Sequence, residues 1–411
     1  MVAAAGAGRG ALPALAGAFF TQFVAGFGFL AFSLLAPSLA EATGLRERDF
    51  GLAITFVFIG TALSSPATGA LVRRLGGVWT VALALAFMAG AMMVNLVGAW
   101  WATMLAATLF GLGYGPQGPV GMTVVTERTP AHRRGLFLAL RHSSQPLAGV
   151  IAGRLLPPLM IAMGWQAGVL TTAGALIAGA IFTLALPALF QLGTVPAAPV
   201  QRAGGHAARL ASVGRQMLAV PEGLRVLWGA GLALAVNQIA MMVFAYLYLL
   251  EVVRLSPIAA GIFVSNMQIA GLVGRPLLGW FCDRTGHSQL VLAALAAIGV
   301  VTVMALFALA ERGMPAWQLF LLAIACGLSG QTWNSVFTTA MSYRVPPERL
   351  AEMNGRAFSF LSLGWMAAAP FFWALIEISG GYTLPFLMVL GGDAAICIAL
   401  LVATWREARR R

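Results

Sequence analysis

Twelve blocks of mostly apolar residues, each about as long as a bilayer core requires, dominate this chain. They run over 13–40, 50–72, 78–97, 100–126, 136–161, 166–190, 224–250, 257–281, 289–310, 315–342, 356–378 and 382–404. A helix rises 1.5 Å per residue, so about 20 apolar residues cross a hydrocarbon core about 30 Å thick. Inside that core every backbone N–H and C=O must be satisfied within the protein, which leaves helices or closed barrels. Blocks this long are helical blocks, so the sequence predicts an all-α membrane protein of twelve transmembrane helices. Composition agrees: of 411 residues, 60% are hydrophobic and 9% charged, against about 25% charged in a soluble domain. The first block exceeds a signal-peptide h-region and is expected to be retained.

The net charge of +12 does not point to nucleic acid. All 25 basic residues are arginine, and they gather in alternate connections. One set of loops holds Arg9, Arg73, Arg74, Arg128, Arg133, Arg134, Arg202, Arg209, Arg215, Arg225, Arg284, Arg344, Arg349, Arg356, Arg406, Arg409, Arg410 and Arg411. The opposite set holds only Arg46, Arg48, Arg254 and Arg312. Positive charge is retained on the cytoplasmic side. The chain is therefore expected to be multi-pass, with both termini cytoplasmic. The lipid bilayer is the expected environment.

The one long connection, 191–222, separates two six-segment halves, 1–190 and 223–411. It is rich in Pro, Gly and Arg. Within it Leu210, Val213 and Met217 recur at helical spacing, which suits either a short amphipathic helix on the inner leaflet or a plain linker. The halves repeat one another: Ser65-Pro66 through Gly76 aligns with Arg275-Pro276 through Gly286, and Gln22 with Gln238. Duplicated halves of this kind suit a transporter whose substrate sits near the midplane.

Polar residues inside apolar blocks are the candidate site residues. Arg141, Ser144 and Gln145 fall on one helical face with Ala148, and Arg141 lies roughly 9 Å along the helix from Gly135. Insertion of a charge at bilayer depth is costly, so such a residue faces protein or a water-filled path. No acidic residue stands in the first, fourth, seventh or tenth block, so the expected partner of Arg141 is an anion. Gln22, Gln117, Gln238, Trp333 and Asn334 complete the expected substrate-binding set. Arg154 is expected to snorkel and Arg275 to be structural. Asp393 is the one carboxylate deep in a block, and with His142 it is a candidate proton carrier. The run Gly113 to Pro119 is expected to loosen the fourth segment.

Enzyme, pump and metal-protein readings fail on the same residues. His142 and Ser143 are adjacent and diverge on a helix. No P-loop occurs. Four histidines lack metal-ligand spacing, and Cys282, Cys326 and Cys397 form no CxxC. No enzyme activity, cofactor or metal is expected.

The block between segments 8 and 9, Gly279-Trp-Phe-Cys-Asp283-Arg284-Thr-Gly286-His287, resembles the G-x-x-x-D-R-x-G-R-R signature of the major facilitator superfamily. With twelve segments and a central loop, the resemblance spans the whole chain. It implies two pseudo-symmetric six-helix bundles and alternating access. It also implies a conformational latch at Gly279, Asp283, Arg284 and Gly286, with Gly279 permitting close helix packing. The first-half copy departs from the signature, with Arg73 at the aspartate position and Gly77 at a basic one. Ala107 replaces an arginine common in segment 4, and Gly149-Val-Ile-Ala-Gly153 replaces the G-P-x-x-G-G run of drug/proton antiporters. Trp333-Asn334 and Arg141 to Gly149 look like a bacterial branch that includes cyanate-transporter-like proteins, which implies a bacterial cytoplasmic (inner) membrane. The expectation is a monomeric secondary transporter of a small organic or inorganic anion, coupled to protons. The alternative is a proton-driven exporter of amphipathic drug-like compounds.

Overall fold

The computed structural model describes residues 10–44, 46, 49, 51–130, 134–187, 220–312 and 314–410. The expected amphipathic helix and nearly all of the central linker lie outside these residues. Among them there is no strand; every element is a helix.

The helices are α1 (Ala11–Thr43), α2 (Gly51–Ser64), α3 (Thr68–Met93), α4 (Trp100–Arg128), α5 (Arg134–His142), α6 (Ser144–Met163) and α7 (Trp165–Ala185), then α8 (Arg225–Ile239) and α9 (Ala245–Glu251). After these come α10 (Pro257–Thr285), α11 (Ser288–Arg312), α12 (Ala316–Gln331), α13 (Trp333–Ser342), α14 (Pro347–Ser379) and α15 (Thr383–Arg410). Ten stretches among the described residues are long and apolar enough to cross a membrane. The other two expected crossings differ for local reasons. The second begins as the short α2, passes through a 3-10 turn at Ser65–Ala67 and continues to Gly76. There φ is +78°, a value glycine reaches without a Cβ clash, and the chain turns into the third crossing. The fourth, α4, has 29 residues, but its glycines, prolines and Gln117 dilute its apolar character.

Contacts divide the chain into two compact units, one of residues 1–193 with 243–272, the other of 194–242 with 273–411. In the first unit, α4 packs on α2 and α3, and α1 packs on α6 and α7. The α2–α4 crossing is a backbone contact. A Cβ on Gly111 would strike the Val57 carbonyl and lie 3.0 Å from Gly60 Cα. Small residues allow such an approach, and dispersion holds it where lipid offers no hydrophobic drive. Hydroxyls of α2 meet carbonyls of α4 across it: Thr61 Oγ1 donates to Gly111 O at 3.3 Å. Ser65 Oγ lies 3.5 Å from Gly115 O, the carbonyl that Pro119 leaves without its helical donor. Supported in this way, α4 runs unbroken through Pro116 and Pro119.

In the second unit, α11 packs on α15 and α12, and α8 packs on α14 and α15. Trp228, Trp333, Phe337 and Leu361 are fully or almost fully buried in its core. Two helices of the second half of the chain are interrupted. A π-turn, Ala240–Phe244, follows α8, and Thr332 separates α12 from α13. π-Turns inside helices gather at functional positions.

Candidate functional site

Arg141 is 1% exposed. It is in the last turn of α5, two residues before a turn at Ser143 and the start of α6. Its side chain reaches across to α4. Nη2 donates to Gln117 O at 3.1 Å and to Gly118 O at 3.4 Å. Space for the guanidinium comes from Gly121: a Cβ there would lie 2.6–2.9 Å from Arg141 Nη2, Nε and Cζ. Nε and Nη1 have no hydrogen-bond partner. Among the described residues no carboxylate pairs with Arg141.

Beside it is a polar and aromatic patch. Tyr114 is close enough to interact electrostatically with Arg141, and its hydroxyl accepts from Gln145 Nε2 at 3.1 Å. The Tyr114 ring stacks on Phe29 and Phe110, at centroid distances of 5.7 and 6.1 Å. A planar cation, a phenol, an amide and stacked rings thus lie together. That set suits a flat ligand with an anionic end: the guanidinium fork matches a carboxylate, and rings stack in offset geometry.

Other expected site residues of this unit behave differently. Ser144 is buried, but its hydroxyl donates to Arg141 O at 2.6 Å, a bond local to its own turn. Gln117 Nε2 donates to Val81 O at 3.4 Å, which ties α4 to α3. Gln22 Oε1 is buried without a partner. His142 is exposed. Arg154 corrects the snorkelling expectation: it bonds the Ser265 hydroxyl and, at 3.0 Å, Asn266 Oδ1, both on α10.

The second unit holds a separate polar cluster. Gln238 Nε2 donates to Gln331 Oε1 at 3.2 Å, and Gln238 Oε1 accepts from the Trp365 indole at 3.0 Å. Arg275 Nε donates to Gln331 O at 2.8 Å, where α12 ends and its carbonyls lose their helical donors. Trp333 is fully buried, 6.3 Å from Trp365. Its indole N–H and Asn334 Oδ1 have no partner. Asp393, 1% exposed, lies elsewhere in the unit, against Gly299 and Asn237.

Tyr343, just after α13, reaches the motif by donating to Cys282 O at 3.3 Å, but the latch residues themselves make no hydrogen bond or ion pair to another described helix. Asp283 is exposed, with no hydrogen bond or ion pair to a described residue. Arg284 lies over the Trp280 ring at 5.3 Å. Gly286 has φ +70° and its N–H closes α10 onto Cys282 O at 2.8 Å, which is the turn expected of it. Gly279 corrects another expectation: no described atom lies within 4 Å of a Cβ added there. No described helix packs closely at Gly279 in this conformation.

Sequence reasoning missed Tyr114, Gly121, Asn237 and Gly299. The first two lie on the face of α4 that carries Gln117, at spacings of three and four residues. That spacing was the signal available for them. Asn237 and Gly299 had none beyond a lone amide and a small residue in apolar helices.

The Major Facilitator Superfamily model matches residues 18–369 and, in a second match, 228–411. An uncharacterized MFS-type transporter of Mycobacterium tuberculosis is 26% identical over 367 residues, covering 84% of this chain and 78% of that one. The gallate transporter of Pseudomonas putida is 25% identical over 417 residues, covering 94% and 90%. The multidrug resistance protein MdtG of Salmonella dublin is 24% identical over 402 residues, covering 93% and 92%. In fold, a crystal structure of the peptide transporter POT superposes with a TM-score of 0.73 at 17% identity, covering 96% of this chain and 95% of that one. A multi-pass helical chain of this kind is a transporter and not an enzyme. The protein belongs to the Major Facilitator Superfamily of secondary transporters.

Proposed function

We propose that the protein carries a small organic anion, with an aromatic carboxylate as the type substrate, and that a proton is the coupled ion. The observation that carries this reading is Arg141. It is a buried guanidinium with two unpartnered nitrogens, no carboxylate on it among the described residues, and a tyrosine, an amide and stacked rings alongside. A permanent cation in that position favours a counter-charge that arrives from outside the chain. The similarity to a gallate transporter supports the same chemistry.

Gln22, with an unpartnered buried oxygen, and the Gln238–Gln331–Trp365 cluster are the further polar groups proposed for substrate. Alternating access of two halves, 1–190 and 223–411, in a monomer with both termini cytoplasmic completes the proposal. The relatives named above lend no support to the cyanate-transporter-like branch.

The similarity to MdtG favours a second reading, export of amphipathic drug-like compounds. The two readings differ in the sign of the ligand. Purified protein is heated with gallate, nicotinate, cyanate, nitrate or a cationic dye. A specific ligand at 100 times its Kd adds about 2.7 kcal/mol of apparent stability. Stabilisation by gallate or nicotinate is the expected result. Stabilisation by the cationic dye alone would overturn the anion reading.

A further inference from the structure

We propose that Asp393 is a proton-binding site, that Asn237 shares the proton, and that Gly299 makes the niche in which the two meet. This rests on the reading of the chain as a proton-coupled transporter and names the group that carries the proton.

Three helices build the niche. Asp393 is on α15, 1% exposed, and neither of its oxygens has a hydrogen-bond partner. Asn237 is on α8, fully buried, and neither its oxygen nor its nitrogen has a partner. Gly299 is on α11. A Cβ there would strike Asp393 Oδ2, and would lie 3.0 Å from Asp393 Cγ and 3.2 Å from Asn237 Nδ2. So a carboxyl and an amide converge where α11 has no side chain. Four buried polar atoms are left unsatisfied in one place, in a protein class where each such atom is costly.

The chemistry of the two groups says what is missing. An ionised carboxylate only accepts; a carboxylic acid also donates one O–H. With a proton from water added to one Asp393 oxygen, that O–H can donate to Asn237 Oδ1. Asn237 Nδ2 can donate to the other Asp393 oxygen. One proton therefore matches every atom of the cluster, and no other bond forms or breaks.

Among the described residues no other titratable side chain is placed to compete for the role. The helices packed on α15 are α11, α8 and α14. The charged residues of α11 are Glu311 and Arg312, at its last two positions, and that of α8 is Arg225, at its first. Each is 12 or 13 residues from Gly299 or Asn237, about 18–20 Å along a helix. On α14, Glu348, Arg349, Glu352 and Arg356 are in its first ten residues and Glu377 is two from its end. On α15 itself Arg406, Glu407, Arg409 and Arg410 are at the far end.

The niche is tied to the polar cluster by chain connectivity. Asn237 precedes Gln238, which bonds Gln331 and Trp365. Successive residues of a helix point about 100° apart, so α8 shows the amide to α11 and α15 and the glutamine to α12 and α14. The π-turn begins two residues later. Closing the Asp393–Asn237 pair would act on the same turn of helix that holds Gln238.

The test is a pH titration of the full chain in phosphatidylcholine–phosphatidylglycerol vesicles, read by infrared difference spectroscopy in the carboxylic C=O region. It needs no substrate. We expect one buried-acid band that disappears as pH rises. It should be absent in Asp393→Asn and retained in Asp393→Glu. In Asn237→Leu it should move to the frequency of a free acid. Asp393→Asn is close to isosteric, and the Glu variant guards against loss by misfolding. A band unchanged in Asp393→Asn overturns the proposal. So does a band whose frequency ignores Asn237→Leu, or one removed by sodium at constant pH, which would mark a metal-cation site. If the band behaves as expected and gallate fails to bind, the proton site stands and only the substrate reading falls.

Discussion

Arg141→Met separates a ligand-binding cation from a helix staple, because the two roles predict opposite signs for stability. Met keeps much of the length and removes the charge. Arg141 makes two bonds, both from Nη2 and both to carbonyls inside α4. Those carbonyls also face the N–H groups four residues on, as in any α-helix, so the substitution orphans no acceptor. Against those bonds stands the burial of a charge with two unpartnered nitrogens, a penalty of several kcal/mol per ion in proteins. Replacing buried charges with apolar groups of similar volume is often neutral or stabilising by about 1–4 kcal/mol. Arg141→Met is therefore expected to raise the stability of the ligand-free protein, by about 1–2 kcal/mol on that scale. A charge-assisted hydrogen bond to ligand is worth about 1.5–3 kcal/mol, so gallate binding should weaken roughly 10- to 150-fold. The assay is the midpoint of unfolding in detergent, followed by tryptophan fluorescence, with and without gallate. A fall of several degrees in the ligand-free midpoint, with gallate affinity intact, would refute the reasoning and make Arg141 a staple between α5 and α4.

Three further outcomes are expected. Gly111→Val puts branched carbon against the Val57 backbone and should cost at least the ~1–3 kcal/mol of ordinary overpacking, read as loss of the monodisperse peak in size-exclusion chromatography. Asp283→Asn should leave the unfolding midpoint within about 0.5 kcal/mol of wild type, as for other exposed substitutions, yet slow turnover if the residue latches another conformation; unchanged transport would make it a turn residue only. Cysteines placed at Gly204 and Leu255 should label from opposite faces of intact cells, Gly204 from the cytoplasm, and labelling of both from outside would break the topology.

The fold was legible because a bilayer restricts the choices. Block length gives the crossings, and the break between the second and third blocks falls at Gly76, where the backbone does turn. That Arg141 would be enclosed by protein was legible for the same reason: five apolar residues precede it, and it is 1% exposed. Its surroundings were not. Tyr114 lies 27 positions earlier in the chain and Gly121 lies 20, and no periodicity pairs one helix with another. Arg154 illustrates the point. Spacing placed it near the outer end of its segment, where snorkelling is the default, whereas its hydrogen-bond partners, Ser265 and Asn266, lie more than 100 residues on. Gly279 fails in the opposite direction. A motif position invites a packing role, but whether anything packs there depends on the conformation, which sequence does not encode as a single answer.

A buried arginine without a counter-charge has an electrical consequence. The guanidinium holds its proton at any pH a cell experiences, so on the proposed reading the empty site carries a fixed positive charge, and a monoanion bound to it brings the local sum to zero. Moving one elementary charge through the whole potential is worth about 2.3 kcal/mol per 100 mV. Whatever part of the field Arg141 crosses as access alternates is felt by the empty form and cancelled in the loaded one. While Asp393 keeps its proton, voltage should therefore act on the return of the unloaded protein, and exchange of one anion for another should be nearly indifferent to it.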